Sequence, residues 1–293
     1  MRIALVLAVG LLSASVHARV IHSETSLYQN ILVTEDGSVR CMQFTVRKDQ
    51  RNQSCVDRRA PKHFVFPYAR MMLAALLLDV TPTNVLVVGL GGGTLPTALS
   101  ELYPNASIDV VEIDPAVVVV AKRYFGFEPS EHMHVFEHDA RVWAKRAASN
   151  SKRYDLIMLD AFNGDYIPEH LMTKEYLSET RELLTSDGVL ASNTFAISRL
   201  YHNESVTYAD VFGPFFNLRS EDTANRVIIA SRAALPDTIK LELAAKALVE
   251  PLQPYGVPIE QYASTMNTTV DWDVTARMLT DQYSPANLLK AQP

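Results

Sequence analysis

Basic clusters are missing from this 293-residue sequence, which has 27 lysines and arginines against 33 acidic residues and a formal net charge of -6. Nucleic-acid binding needs concentrated positive charge to neutralise phosphates, so this composition argues against a nucleic-acid groove. Internal repeats and low-complexity tracts are absent as well, and 48% of the residues are hydrophobic. The chain can therefore bury one good core with a small annex, and a small or cationic ligand suits its charge best.

Hydrophobic runs long enough to span a membrane are also lacking. A shorter apolar run extends from Ile3 to Leu12. The first eighteen residues combine one arginine, this run and the ending Val16-His17-Ala18, whose small side chains suit a signal peptidase. The run is too short for a comfortable membrane span, and no cysteine follows it to carry a lipid anchor. We expect a signal peptide over 1–18, a mature chain from about Arg19 and a periplasmic or secreted location. The alternative is an uncleaved membrane anchor.

Cysteine is scarce, with only Cys41 and Cys55 in the whole chain. In an oxidising compartment, a bridge between them would close a loop of about fifteen residues and contribute roughly 3 kcal/mol to stability. Their spacing matches no metal-binding signature, and we expect no metal. Two separate buried thiols remain the alternative to a bridge.

Glycine is sparse too, yet Gly89, Gly91, Gly92 and Gly93 fall in one short turn. The turn follows an apolar run, Val85 to Val88, and precedes a helical pattern from about Thr94 and a second apolar run ending in Glu112 and Asp114. This order predicts a βαβ unit that binds a nucleoside-bearing cofactor. Its backbone turns sharply against the ligand, its helix N-terminus offers free N–H groups, and an acid accepts hydrogen bonds from ribose hydroxyls. Thr94 at the last position of the G-x-G-x-x-G frame weakens the NAD interpretation.

Strands and helices alternate through most of the remaining chain, which predicts an α/β fold with a doubly wound, mainly parallel sheet. A smaller antiparallel segment precedes it, and a buried helix is predicted from Tyr68 to Asp79. We expect a β-hairpin annex over 19–60, a nucleoside-binding catalytic domain over 61–235 and a helical or irregular extension over 236–293.

Acidic residues follow three of the predicted parallel strands, namely Glu112, Asp139 and Asp160. Ligands in wound sheets bind at the carboxyl ends of the strands, so these side chains should share one site. Each acid alone could instead be a helix N-cap.

Several of these motifs together resemble the spermidine synthase (polyamine aminopropyltransferase) family. They are Ser26-Leu27-Tyr28-Gln29, Val85 to Gly93, Val111 to Pro115, His138-Asp139-Ala140 and Tyr154 to Asp160. The resemblance implies a Rossmann-like, methyltransferase-type sheet that takes decarboxylated S-adenosylmethionine, or S-adenosylmethionine, as co-substrate and an amine or polyamine as acceptor. It also implies a possible homodimer.

The resemblance implies a role for individual residues. Glu112 would hold the ribose hydroxyls, Asp139 the adenine amino group, and Gln29 would reach the nucleoside from the annex. The other cofactor-binding positions would be Gly89, Gly91, Gly93 and Ala140. Asp160 would orient and deprotonate the attacking amine, with Asp165 as a helper.

Two departures from the family pattern concern the substrate. The acid that holds the aminopropyl ammonium lines up with Gly92, and a polyamine-binding glutamate lines up with Arg70, which we place beside Tyr68 in the substrate site. Replacing a carboxylate with a guanidinium reverses the charge preference of that wall. An S-adenosylmethionine-dependent methyltransferase and a non-catalytic exported polyamine- or nucleoside-binding homologue therefore stay open beside an aminopropyltransferase.

Overall fold

The structure is a computed structural model that describes residues 18–45, 51–78, 80–162 and 166–285. The predicted signal peptide, except Ala18, and the predicted helper Asp165 lie outside the described residues. None of the helices in the described ranges is both long and apolar enough to cross a membrane.

The N-terminal annex is a four-stranded antiparallel sheet in the order β1-β2-β3-β4. Its strands are β1 (Arg19–Thr25), β2 (Asn30–Asp36), β3 (Val39–Thr45) and β4 (Arg51–Asp57). Strand β1 was not predicted, because its exposed and half-buried residues carry little apolar alternation. Cys41 and Cys55 face each other across β3 and β4 and form a disulfide. The predicted bridge is confirmed, and the alternative of two separate thiols is wrong.

The main sheet has seven strands in the order β10-β11-β9-β8-β5-β6-β7. The strands are β5 (Asn84–Val88), β6 (Ser107–Glu112), β7 (Met133–Glu137), β8 (Tyr154–Leu159), β9 (Leu184–Phe195), β10 (Phe216–Arg219) and β11 (Asn225–Ser231). Strand β11 runs antiparallel to both neighbours, and the other pairs are parallel. The predicted α/β class with a mainly parallel sheet and an antiparallel annex is confirmed. The strand order reverses between β5 and β8. This position is the switch point of the sheet, where wound sheets bind ligands.

Helices cover both faces of this sheet. They are α1 (Pro67–Met72), α2 (Thr94–Leu102), α3 (Pro115–Tyr124), α4 (Ala140–Ser149), α5 (Lys174–Leu183), α6 (Tyr201–Phe212), α7 (Thr238–Leu252) and α8 (Ile259–Thr265), with 3-10 segments at Leu73–Leu78, Glu169–Leu171 and Gln253–Tyr255. The single helix predicted from Tyr68 to Asp79 is therefore wrong in part, because it tightens to 3-10 geometry at Leu73. Helix α8 lies in a stretch predicted to be irregular.

The core lies in two layers, one on each face of the main sheet. Val85 and Val87 of β5 pack into one layer, and the alternate residues Leu86 and Val88 pack into the other. Both faces are buried, which explains why the strands read as continuous apolar runs. The two layers leave the carboxyl ends of the strands open beside the annex.

Candidate active site

A cavity of about 390 Å³ opens at the carboxyl ends of the central strands. The ends of β5, β6 and β9 and the residues directly after β8 form its floor, and the annex contributes Tyr28, Gln29 and the segment from Asn52 to Cys55 to its wall. The volume falls within the usual range of about 300–1,000 Å³ for small-molecule sites. The cavity therefore lies where the sequence predicts a ligand and is shared between the sheet and the annex.

The glycine turn after β5 brings the backbone into direct contact with β8. Gly89 has φ +94°, and a Cβ added there would collide with the carbonyl oxygen of Asp160. Gly89 and Gly91 line the cavity, as predicted cofactor-binding residues should. The structure does not bring Gly93 to the cavity lining, because it packs under the turn against Phe127.

Glu112 lines the cavity at the end of β6. One of its carboxylate oxygens accepts from the backbone N–H of Leu90 and the other from that of Asp114, both at 3.0 Å. Burial raises the pKa of Glu112, and these backbone donors oppose that shift. Each oxygen keeps a further lone pair, so a fixed pair of acceptors faces the cavity.

Asp114 ties the annex to the main sheet. Its side chain is buried, and one oxygen caps α3 by accepting from the N–H of Ala116 at 3.0 Å. The other oxygen accepts from the hydroxyl of Ser26 at 2.5 Å, and that hydroxyl oxygen also accepts from the N–H of Gln29. Gln29 is thereby held at the cavity wall.

Asp139 serves both as a helix cap and as a cavity residue. Its Oδ1 accepts from the N–H groups of Arg141 and Val142 at the start of α4, and Oδ2 lies 2.8 Å from Nε2 of His170. The hydrogen bond with His170 holds the pKa of Asp139 below its ordinary value. Ala140 and His170 line the cavity beside it. Sequence reasoning missed His170, whose only signal was its place two residues after Pro168 in the loop beyond Asp160.

Asp160 lies at the end of β8, between α1 and β9. Its Oδ1 accepts from Nδ2 of Asn193 at 2.8 Å, and its Oδ2 lies 3.5 Å from the hydroxyl of Tyr68. Burial raises the pKa of Asp160 to about 7, while the bonds from Asn193 and Tyr68 lower it. The carboxylate is therefore suited to exchange a proton near neutral pH.

Four aromatic rings line the cavity that Asp160 also lines. Phe66 stacks on Tyr68 with ring centroids 5.6 Å apart, and Phe162 meets Phe195 edge-on at 5.3 Å. Such faces can cover an alkyl chain and attract an ammonium group. Sequence reasoning found Tyr68 but not the three phenylalanines.

Arg70 stands apart from the predicted substrate site. It is not among the residues that line the cavity, and its charge instead acts on Tyr262 of α8, where it opposes a burial-raised pKa of about 12. The described part of the chain gives Arg70 no ion pair within 4 Å. The structure therefore does not place Arg70 at the predicted substrate site.

In the described part of the chain, carboxylates outnumber permanent cations in the cavity lining, which also includes His138 and His170. Among the described residues this lining includes Glu112, Asp139 and Asp160 but no lysine or arginine. The described ranges also contain no group of three or more metal-ligating side chains placed to hold an ion. The arrangement favours a positively charged ligand with hydroxyl and amino donors.

Comparison with known proteins agrees with this geometry. Residues 65–216 match the family model described as "Spermine/spermidine synthase domain". The chain is 51% identical over 274 residues to the polyamine aminopropyltransferase of Vibrio vulnificus, covering 92% of this chain and 91% of that protein.

Two solved structures have similar folds. A probable spermidine synthase from Corynebacterium glutamicum aligns with a TM-score of 0.65 and 19% identity, covering 89% of this chain and 99% of that one. Human methyltransferase-like protein 13 in complex with SAH aligns with a TM-score of 0.59 and 28% identity, covering 64% of this chain and 93% of that one. The sequence matches carry the assignment, and this chain belongs to the spermine/spermidine synthase family.

Proposed function

We propose that the protein is a polyamine aminopropyltransferase that moves an aminopropyl group from decarboxylated S-adenosylmethionine to an amine acceptor. The observation that carries this proposal is the cavity with three carboxylates and no lysine or arginine in its described lining, at the switch point of the sheet. Family membership and 51% identity to the Vibrio vulnificus enzyme support it.

The donor suits the end of the cavity near the glycine turn. Decarboxylated S-adenosylmethionine carries a sulfonium and an ammonium, whereas S-adenosylmethionine adds a carboxylate to these. A negative lining attracts the first two groups and repels the third, by about 4 kcal/mol per pair at 4 Å and an effective dielectric of 20. In this arrangement Glu112 accepts from the ribose hydroxyls and Asp139 from the adenine amino group, with Gln29, Gly89, Gly91 and Ala140 around the nucleoside.

The acceptor suits the end of the cavity around Asp160 and the four aromatic rings. A protonated amine cannot attack carbon, so Asp160 first takes its proton. The freed lone pair then attacks the carbon next to the sulfonium, the carbon–sulfur bond breaks, and its electron pair returns to sulfur. The products are methylthioadenosine and the lengthened, protonated amine. Asp165 remains a proposed helper.

A methyltransferase is the second candidate, and the likeness to human methyltransferase-like protein 13 is the observation that favours it. Arg70 would favour a methyltransferase if it paired with the carboxylate of S-adenosylmethionine, but Arg70 lies outside the cavity lining. An exported protein that binds polyamines or nucleosides without turnover is the third candidate.

Thermal unfolding of the mature protein separates the three. The ligands to compare, all at one concentration, are decarboxylated S-adenosylmethionine, S-adenosylmethionine, methylthioadenosine and putrescine; a ligand present at a hundred times its dissociation constant adds about 2.7 kcal/mol of stability. The proposal expects a shift with the decarboxylated donor, and a product from putrescine that is heavier by one aminopropyl group. Methylated product would favour the second candidate, and binding without product the third.

We also propose export to the periplasm or beyond, through the signal peptide over 1–18. The disulfide between Cys41 and Cys55 supports this location, since such bridges persist in oxidising compartments. Immunoblots of periplasmic and cytoplasmic fractions, with a cysteine-reactive mass tag, would test it. A reduced protein confined to the cytoplasm would contradict the proposal.

A further inference from the structure

A chain of side-chain hydrogen bonds crosses three neighbouring segments and ends on Asp160. Nδ2 of Asn193 in β9 donates to Oδ1 of Asp160 at 2.8 Å. Nδ2 of Asn225 in β11 donates to Oδ1 of Asn193 at 2.9 Å, and the hydroxyl of Thr223 donates to Oδ1 of Asn225 at 2.8 Å. Asn193 and Asn225 both line the cavity, and neither belongs to the motifs that the sequence analysis singled out.

The direction of each bond follows from the chemistry of its partner. Ionised Asp160 can only accept, so Asn193 must turn its NH₂ toward it and its carbonyl oxygen away. That oxygen needs a donor, which fixes the amide of Asn225 in turn. The hydroxyl oxygen of Thr223 already accepts from the backbone N–H of Asn225 at 3.1 Å, so its hydrogen is free for the amide oxygen. In this series of hydrogen bonds, every donor group points toward Asp160.

The two oxygens of Asp160 therefore have different surroundings. Oδ1 is fixed by a bond from an asparagine that is only 2% exposed. Oδ2 has the hydroxyl of Tyr68 at 3.5 Å, which is long for an O–H···O hydrogen bond. Oδ2 is thus the oxygen left for an incoming amine.

We propose that Asn193, oriented by Asn225, is a positioning residue that fixes Asp160 with Oδ2 directed at the acceptor amine. This inference rests on the proposed function, because it gives a role to residues around the proposed base. Asn225 acts one step further away, through the orientation of the Asn193 amide.

A pH effect follows from the same contacts. The groups that hydrogen-bond Asp160 are Asn193 from β9 and Tyr68 from α1, and the other titratable side chains of the described cavity lining are Tyr28, Glu112, His138, Asp139 and His170. The bond from Asn193 lowers the pKa of Asp160, which burial has raised to about 7. Removing that bond raises the pKa further. The acid limb of kcat/KM, where the base loses its proton, should then move to higher pH.

The test compares Asn193→Ala and Asn225→Ala with the unchanged protein. For Asn193→Ala we expect the acid limb to rise by about one pH unit, the size expected for a hydrogen bond to a charged group. The value of kcat at pH 7 should fall about five- to fiftyfold, while the KM for the donor changes less than about twofold. Asn225→Ala should move the limb in the same direction by less, and it carries the test if Asn193→Ala does not fold.

Asn217→Ala is the matched control. Asn217 is a buried asparagine of β10 that bonds Tyr201 and Asp271 and does not line the cavity. Its truncation should lower thermal stability and leave the acid limb in place. If Asn193→Ala behaves like this control, the inference is overturned.

A titration that needs no turnover separates this inference from the proposed function. The carboxyl carbon of Asp160, labelled with ¹³C and assigned by its loss in Asp160→Asn, reports the pKa directly. A higher midpoint in Asn193→Ala, together with no aminopropyl product from the unchanged protein, would show that Asn193 sets the pKa of Asp160 and would reject the proposed function. Product formation with an unchanged midpoint and kcat in Asn193→Ala would reject the positioning role alone.

Discussion

Asp160 is the single residue on which the proposed chemistry depends. Burial raises the pKa of its carboxyl to about 7, which keeps it close to the point where it can take and release a proton. Only the deprotonated form can accept from the amine, so kcat/KM should rise as pH increases through about 7. The free energy of unfolding should fall as pH rises from about 3.8 to about 7, because in that range the folded carboxyl keeps its proton while the unfolded one has lost it.

The substitution Asp160→Asn keeps the size and the polarity of the side chain but cannot take a proton. We expect turnover to fall by at least about 10³-fold, in the range of lost acid–base catalysis, and the dissociation constant of methylthioadenosine to stay within about twofold. A rate assay measures the turnover, and calorimetric titration with methylthioadenosine measures its dissociation constant. Full activity in the variant would remove Asp160 from the mechanism.

The structure explains why residue 92 is a glycine and not an acidic residue. A Cβ at this position would lie 2.7 Å from Oγ of Ser54 and 3.0 Å from the ring of Phe125. The acid that the family resemblance would place here therefore has no room, because Ser54 of the annex and Phe125 after α3 fill the space. Ser54 was not predicted as a site residue, since only the folded chain brings β4 against the glycine turn.

We expect Gly92→Ala to lower the free energy of unfolding by about 1–3 kcal/mol, the usual cost of overpacking. Adding Ser54→Gly should restore a large part of this loss, because it removes the closer of the two obstacles. Chemical denaturation of the two single variants and the double variant measures the coupling. Strictly additive effects would show that Ser54 does not oppose a side chain at residue 92.

At the scale of elements, strand β4 lies at an edge of the annex sheet, beside the cavity. Among the described residues, it pairs with β3 in the annex sheet and makes one further bridge, between Val56 and Phe64. Residues Asn52 to Cys55 of this strand nevertheless form cavity wall. The disulfide from Cys55 to Cys41 is therefore placed to hold the wall against β3.

Replacing both cysteines with serine should lower the free energy of unfolding by roughly 3 kcal/mol in the chain-entropy model. We expect hydrogen exchange to rise in β4 more than in β5 or β8, and the affinity for methylthioadenosine to weaken several-fold. Adding a reductant to the unchanged protein should reproduce these effects and should leave the double variant as it is. Equal affinity with and without the bridge would contradict a role for the disulfide in shaping the wall.

The elements that could be predicted are those with an unambiguous local pattern. Strand β8 runs from Tyr154 to Leu159 as expected, because an apolar run is bounded by polar residues on both sides. Strands β1 and β10 escaped prediction because one is half exposed and the other has only four residues. The change from α1 to 3-10 geometry at Leu73 has no local signal in an apolar sequence that reads as one helix.

The same limit applies to the site. Glu112, Asp139 and Asp160 could be predicted because strand ends follow from the pattern, and the topology brings strand ends together. His170, Asn193 and Asn225 could not, because their roles depend on which loops and strands become neighbours. Gly93 and Arg70 were assigned by position in a motif, and the structure places both outside the cavity lining.

At the scale of the whole molecule, the cavity exists because two sheets meet. The annex is tied to the main sheet where Ser26 donates to Asp114, and the C-terminal segment is tied to α4 by a pair of bonds between Arg141 and Asp281. Helices α7 and α8 add Leu241, Ala245 and Tyr262 to the core layer that also holds β5. The charge inside the cavity is a property of this whole assembly and not of one motif.

The central claim is that this cavity selects a cationic, decarboxylated donor and passes its aminopropyl group to an amine. The most direct measurement incubates the purified mature protein and its Asp160→Asn variant with putrescine and either decarboxylated S-adenosylmethionine or S-adenosylmethionine, and follows products by mass spectrometry. The account predicts spermidine and methylthioadenosine from the unchanged protein with the decarboxylated donor alone, and none from the variant. Methylated product from S-adenosylmethionine, or equal yield from the variant, would contradict it.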